Sequence, residues 1–174
     1  METRFKNLIS DYNITIVEGI NLGMKIKPSN EDLDFIRANK PAIIDYIKSE
    51  QIAKEKAAEE RKRKIESIDG LIELENAIYE HELYHDEFEK RMQNENFSSF
   101  APKKPKSNIV ELKVKYPRAA AYLLAKSWYH ANNDVKSAAG KKALERIING
   151  ENYESVLKDM DDEWSAYCSK RIWD

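Results

Sequence analysis

Residues 12–28 read Tyr12-Asn13-Ile14-Thr15-Ile16-Val17-Glu18-Gly19-Ile20-Asn21-Leu22-Gly23-Met24-Lys25-Ile26-Lys27-Pro28, and the period of this stretch decides the N-terminal fold. Ile14 and Ile16 alternate with Thr15 and Val17; Leu22, Met24 and Ile26 alternate with Gly23, Lys25 and Lys27. A period of two is that of a strand with one face buried. Glu18-Gly19-Ile20-Asn21 supplies the turn between the runs, so an antiparallel hairpin is expected, stopped by Pro28. Working outward, Phe5, Leu8, Ile9 and Tyr12 recur at helical spacing and predict a helix over 3–12, ended by Asn13. On the other side, Ser29 with Asp32 predicts a capped helix carrying Leu33, Phe35 and Ile36. Asn39-Lys40-Pro41 then opens a third helix that buries Ile43, Ile44 and Ile47. An isolated hairpin is marginal in water, so its apolar face must rest on these helices.

This α-β-β-α-α order, with Leu8-Ile9, the hairpin from Ile14 to Ile26 and Lys40-Pro41-Ala42-Ile43-Ile44-Asp45-Tyr46-Ile47, resembles the TubC-type N-terminal docking domain of natural-product assembly lines. The resemblance covers residues 1–50 and implies capture of a short linear peptide by strand addition and charge pairing. The matching surface here is formed by the outward positions Thr15, Val17, Lys25 and Lys27, the lysines suiting an acidic peptide. The same two lysines also suit simple solvation and protection of an edge strand. The remainder of the chain does not resemble a synthetase or synthase domain.

Composition bounds the rest. The chain has 174 residues, 41% hydrophobic and 34% charged, with a mean hydropathy of −0.73, so much of it is expected to be solvated helix surface around small cores. Its opening, Met1-Glu2-Thr3-Arg4, enters an amphipathic helix without an apolar signal region, and no run reaches membrane-spanning length. One cysteine, Cys168, excludes an internal disulfide framework and fits a reducing, cytoplasmic setting. A net charge of −2 carries no bulk attraction to nucleic acid, though contact with one stays open.

From Lys54 to Lys64 nine of eleven residues are charged, with Glu and Lys at helical-neighbour spacings. A solvated helix from Pro41 to about Ile68 is expected, spanning roughly 40 Å, with Asp69-Gly70 as a kink or break. Next comes a heptad-like stripe, Leu71, Leu74, Ile78, His81, His85, Phe88 and Met92. It predicts packing against the charged helix or a second copy, hence a possible homodimer. Residues 51–96 are therefore read as a long helix and helical hairpin.

Within the stripe, His81-Glu82-Leu83-Tyr84-His85 matches H-E-x-x-H, where two imidazoles one turn apart bind zinc and the glutamate activates water. Its surroundings disfavour that chemistry. Asp86-Glu87 follow directly, Phe88 and Arg91 stand where a metzincin has glycine and histidine, and no spacing selects Glu111 or Glu145 as third ligand. His81 and His85 are accordingly read as polar seam residues, with no metal, no cofactor and no catalytic residue assigned.

Residues 97–107 hold two prolines and three lysines and read as a linker and the main domain boundary. Beyond it, over 108–174, four helices are expected. Ser107 would cap the first, Pro117 would start the second, Asp134 would cap the third, and Gly150 would end it. Gly140 implies close helix packing. The last helix presents Tyr153, Val156, Leu157, Met160, Trp164, Tyr167 and Cys168 on one face. Its outer side carries Asp159, Asp161, Asp162 and Glu163, and with Glu151 and Glu154 forms an acidic cluster beside the basic Lys136, Lys141, Lys142 and Arg146. Such carboxylates can occupy a nucleic-acid channel in another protein, although most acidic helix faces are only solvated.

Taken whole, with Tyr116-Pro117-Arg118-Ala119-Ala120-Ala121-Tyr122-Leu123 and Asp162-Glu163-Trp164-Ser165, the chain also resembles small proteins of Firmicute phages and plasmids, some of them type II anti-CRISPRs that bind Cas9. That resemblance implies a stoichiometric inhibitor with no active site. The expectation is a mainly α protein with a small N-terminal α-β-β-α-α module, a long charged helix and helical hairpin, and a C-terminal helical bundle. It would act on a protein partner, Cas9 or its guide complex being the sharpest case, and peptide docking the alternative.

Overall fold

The computed structural model describes residues 2–19, 21–93 and 104–172. Among them, in chain order, stand α1 (Glu2–Tyr12), β1 (Thr15–Val17), β2 (Asn21–Gly23), α2 (Asn30–Ala38), α3 (Lys40–Glu66), α4 (Leu71–Gln93), α5 (Ile109–Lys115), α6 (Pro117–Tyr129), α7 (Asp134–Ile148) and α8 (Tyr153–Ile172). The protein is mainly α, as its periodicities imply. It divides into two compact units, residues 1–60 and 61–174.

In the first unit, Phe5 and Leu8 of α1, Ile14 before β1, Ile36 of α2, and Ile43 and Ile47 of α3 form the buried core. The Phe5 ring meets Phe35 and Tyr46 at centroid distances of 6.2 and 6.1 Å. Ile43 is fully buried, a contribution of about 1.5–3 kcal/mol from transfer alone. Asn13, at φ +48, ends α1 in the left-handed region that asparagine tolerates. The strands then pair antiparallel, Thr15 with Gly23, Ile16 with Leu22 and Val17 with Asn21. Two consecutive left-handed residues, Glu18 and Gly19, make the turn, whose Ile20 lies outside the described residues. Ser29 caps α2, accepting from the Asp32 N–H at 3.2 Å.

The hairpin is shorter than its alternation suggests. β2 ends at Gly23, and Met24 and Ile26 are exposed rather than buried. The Tyr12 carbonyl at the end of α1 accepts from both Lys25 N and Ile26 N, at 3.2 and 3.4 Å, and pulls the chain off the ladder.

In the second unit the core gathers Ile68, Leu71 and Leu74 with Tyr122 and Ala125 of α6, Leu144 and Ile147 of α7, and Val156 and Met160 of α8. The division between the two units falls within α3, and residues 97–103 of the Pro/Lys stretch read as a linker lie outside the described set. Of the stretch 51–96, read as a long helix and helical hairpin, the described residues from 61 to 93 fall in the second unit, and Ile68, Leu71 and Leu74 join its core. The stripe of α4 packs on α5 and α6. Its buried part stops early: Leu71, Leu74 and Ala77 are buried, Ile78 and His81 half-buried, and His85 and Phe88 exposed. The Met92 side chain lies outside the described residues.

Two caps fall one residue away from where they are expected. Asn108, not Ser107, caps α5, its Oδ1 accepting from Val110 N and Glu111 N at 3.1 and 3.4 Å. Asn133, not Asp134, caps α7, accepting from Val135 N and Lys136 N, both at 3.1 Å. Both capping asparagines have extended backbone. Gly140 lets α7 lie on α6; a Cβ there would sit 2.7 Å from the Ala125 carbonyl oxygen.

Candidate interaction surfaces

The hairpin face is built from short-range constraints. The register sets Thr15 and Val17 on the outward side, opposite Gly23 and Asn21, and both are exposed. Gly23 leaves a dip between them, since a Cβ there would fall 2.8 Å from Val17 Cγ2. Lys40 Nζ donates to Asn21 Oδ1 at 3.0 Å and ties β2 to the start of α3. Lys25 and Lys27 are exposed, but on the bend after β2 rather than on its edge. That bend adds apolar surface that strand alternation hides: Met24 is 36%, Ile26 49% and, on β1, Val17 44% exposed. The sheet has only two strands among the described residues, so each strand keeps one unpaired edge.

The two-signed surface of the C-terminal unit is an internal pairing of α7 with α8. Arg146 binds Glu151 at 2.8 Å and Asp159 at 2.7 Å, and the two carboxylates, Asp159 first, raise its pKa further. Lys142 pairs with Glu163. Lys136 Nζ lies 4.5 Å from the Trp164 ring centroid and 5.2 Å from that of Trp128. Of the four α8 carboxylates singled out in the sequence, Asp159 and Glu163 are thus engaged. Asp161 and Asp162 are exposed without an ion pair among the described residues.

The H-E-x-x-H segment lies on α4 where its burial ends. His81 Nε2 is 2.8 Å from the Ser107 carbonyl oxygen. A carbonyl only accepts, so Nε2 carries the proton in this contact. His85 is exposed with its ring edge-on to Tyr84. His81 borders the cleft at Lys104–Val110, whereas Glu82 borders a different depression. Among the described residues no three His, Cys, Asp or Glu side chains converge as metal ligands.

That depression is a groove of about 640 Å³ between α4 and α6, with Lys113 of α5 on its rim. Leu74, Ile78, Leu123 and Leu124 line it, with Tyr79 at its edge. Tyr79, Leu83 and Leu124 are exposed. Across it Lys126 Nζ meets Glu75 at 2.7 Å, and this hydrogen bond raises the lysine pKa. Leu74 and Ile78 of the α4 stripe reach this groove, while Tyr79 beside them falls outside the stripe's period. Tyr79, a large aromatic one residue beyond the stripe's Ile78, is the signal in the sequence that marks it.

No family model, curated protein or solved structure matches the chain. Among the described residues, no helix is long and apolar enough to cross a membrane.

Proposed function

We propose that this is a non-enzymatic interaction protein whose N-terminal hairpin surface captures an extended acidic segment of a protein partner. The observation that carries the proposal is the joint exposure of Val17, Met24 and Ile26 with Lys25 and Lys27, beside an unpaired strand edge. Backbone pairing supplies affinity, the apolar side chains fill partner pockets, and the lysines select acidic sequence. The test is a library of acidic extended peptides titrated against the chain. Lys25→Glu with Lys27→Glu should weaken binding about ten-fold or more while leaving the melting temperature unchanged; unaltered affinity removes the site.

The narrower form of this proposal is stoichiometric inhibition of Cas9. It is supported by the resemblance in residues 116–123 and 162–165 and by the exposed carboxylates Asp161 and Asp162, which have no ion pair among the described residues. Purified protein added near one-to-one to Cas9 and its guide should stop target cleavage. Cleavage that persists at large excess rejects inhibition and leaves peptide capture to stand alone.

Zinc-dependent hydrolysis is the competing reaction class. Metal analysis of the purified chain discriminates: zinc held tightly and lost on His81→Ala with His85→Ala would replace the proposal.

A further inference from the structure

We infer that the corner between Trp128 of α6 and Trp164 of α8 is a binding site for a quaternary ammonium group, kept filled in the free chain by the ammonium of Lys136. The two indole rings stand nearly perpendicular, 73° apart with centroids 6.3 Å from each other, and so form two walls of a corner. Tyr167, its ring centroid 5.4 Å from that of Trp164, extends the aromatic surface along α8. All three aromatic residues are half-buried and keep part of their surface in water. The corner lies in the second unit and is separate from the hairpin surface of the first.

Lys136 identifies the chemistry of the occupant. Its Nζ lies over both rings, 4.5 Å from the Trp164 centroid and 5.2 Å from that of Trp128, inside the range of about 6 Å where an aromatic face attracts a cation. Lys136 has no ion pair among the described residues, so the rings and not a carboxylate hold its charge. Its place in the chain works against that charge. It stands in the first turn of α7, directly behind the Asn133 cap, where the helix dipole disfavours a cation. A primary ammonium is also compact and strongly hydrated, and it loses much of that hydration between two indoles. A trimethylammonium group carries the same charge with no N–H to desolvate, so it gains the same attraction at a smaller loss of hydration. It therefore displaces Lys136, whose flexible stem returns the ammonium to solvent.

The experiment titrates the full chain with tetramethylammonium, with choline and with the uncharged tert-butyl analogue of choline, at fixed ionic strength, and follows the indole N–H resonances. Tetramethylammonium and choline should saturate one site and bind about three-fold or more tightly than the uncharged analogue. Lys136→Ala should tighten both about three-fold or more, because the competing ammonium is gone. Lys141→Ala removes the same charge from an exposed position further along α7 and should leave the affinity unchanged. Trp128→Leu and Trp164→Leu should each abolish the preference for the charged ligand, with circular dichroism melts checking that folding is retained; the comparison of ligands on the unmodified chain decides the matter if either variant fails to fold. A trimethyllysine peptide that binds more tightly than choline assigns the group to a modified protein side chain, and one that binds no more tightly assigns it to a free small molecule. Absence of a saturable shift, equal affinity for the uncharged analogue, or affinity unchanged by Lys136→Ala each overturns the inference.

Discussion

Single positions carry two effects that composition alone hides. Gly70 breaks the chain between α3 and α4 at φ +69, and a Cβ there would overlap the Tyr116 ring. Gly70→Ala meets both the left-handed backbone penalty and overpacking against an aromatic. A loss of about 2–4 kcal/mol is expected, measured by denaturant unfolding of the full chain. Asp32 is the second case. The Tyr12 hydroxyl donates to it at 2.7 Å and the Ser29 hydroxyl at 2.9 Å, and these bonds, Tyr12 first, hold its carboxyl below the usual range. A depressed folded-state pKa adds stability above the ordinary carboxylate pKa, lost as pH falls through the lowered value. Tyr12→Phe should therefore melt lower than the parent at neutral pH, and the difference should vanish in strong acid. Melting curves across pH check this; a gap that stays constant with pH would assign the effect to packing instead. Ser29–Asp32 is legible as a capping pair in the sequence, whereas the Tyr12 contact, twenty residues away, is not.

At the scale of an element, α4 is two helices in energetic terms. Its first two turns are anchored through Leu71, Leu74 and Ala77, while among its described side chains from Glu82 onward none is buried. Among the described residues His81 ties α4 to the segment before α5, through the Ser107 carbonyl. Amide exchange should be slow over Leu74–Ile78 and faster by orders of magnitude over Glu82–Lys90. His81→Ala should accelerate exchange further in the second stretch and over 104–107; equal protection along the whole helix would show that something else holds it. The stripe from Leu71 to Phe88 runs evenly through the sequence. Its even period cannot tell where the opposing helices end, because periodicity records a face and not what covers it.

For the whole molecule, two cores imply two unfolding events. Ile43 in the first and Ile147 in the second are both fully buried, and truncation to alanine at such sites costs about 2–5 kcal/mol. Ile43→Ala should move only the calorimetric transition of residues 1–60, and Ile147→Ala only that of residues 61–174. One transition shifted by both variants would refute the division. The helical class, the α-β-β-α-α order, the first helix boundaries and the outward placing of Thr15 and Val17 were determined by local signals: period, turn residues, prolines and caps. Those signals act within a few residues and are complete in the sequence. Tertiary structure alone decided that β2 stops at Gly23, that α4 joins the C-terminal core, that Asp159 and Glu163 answer Arg146 and Lys142, and that a groove opens beside α6. Each of these depends on which distant group reaches a backbone amide, an apolar face or a charge first, and that competition is resolved only when the chain has packed.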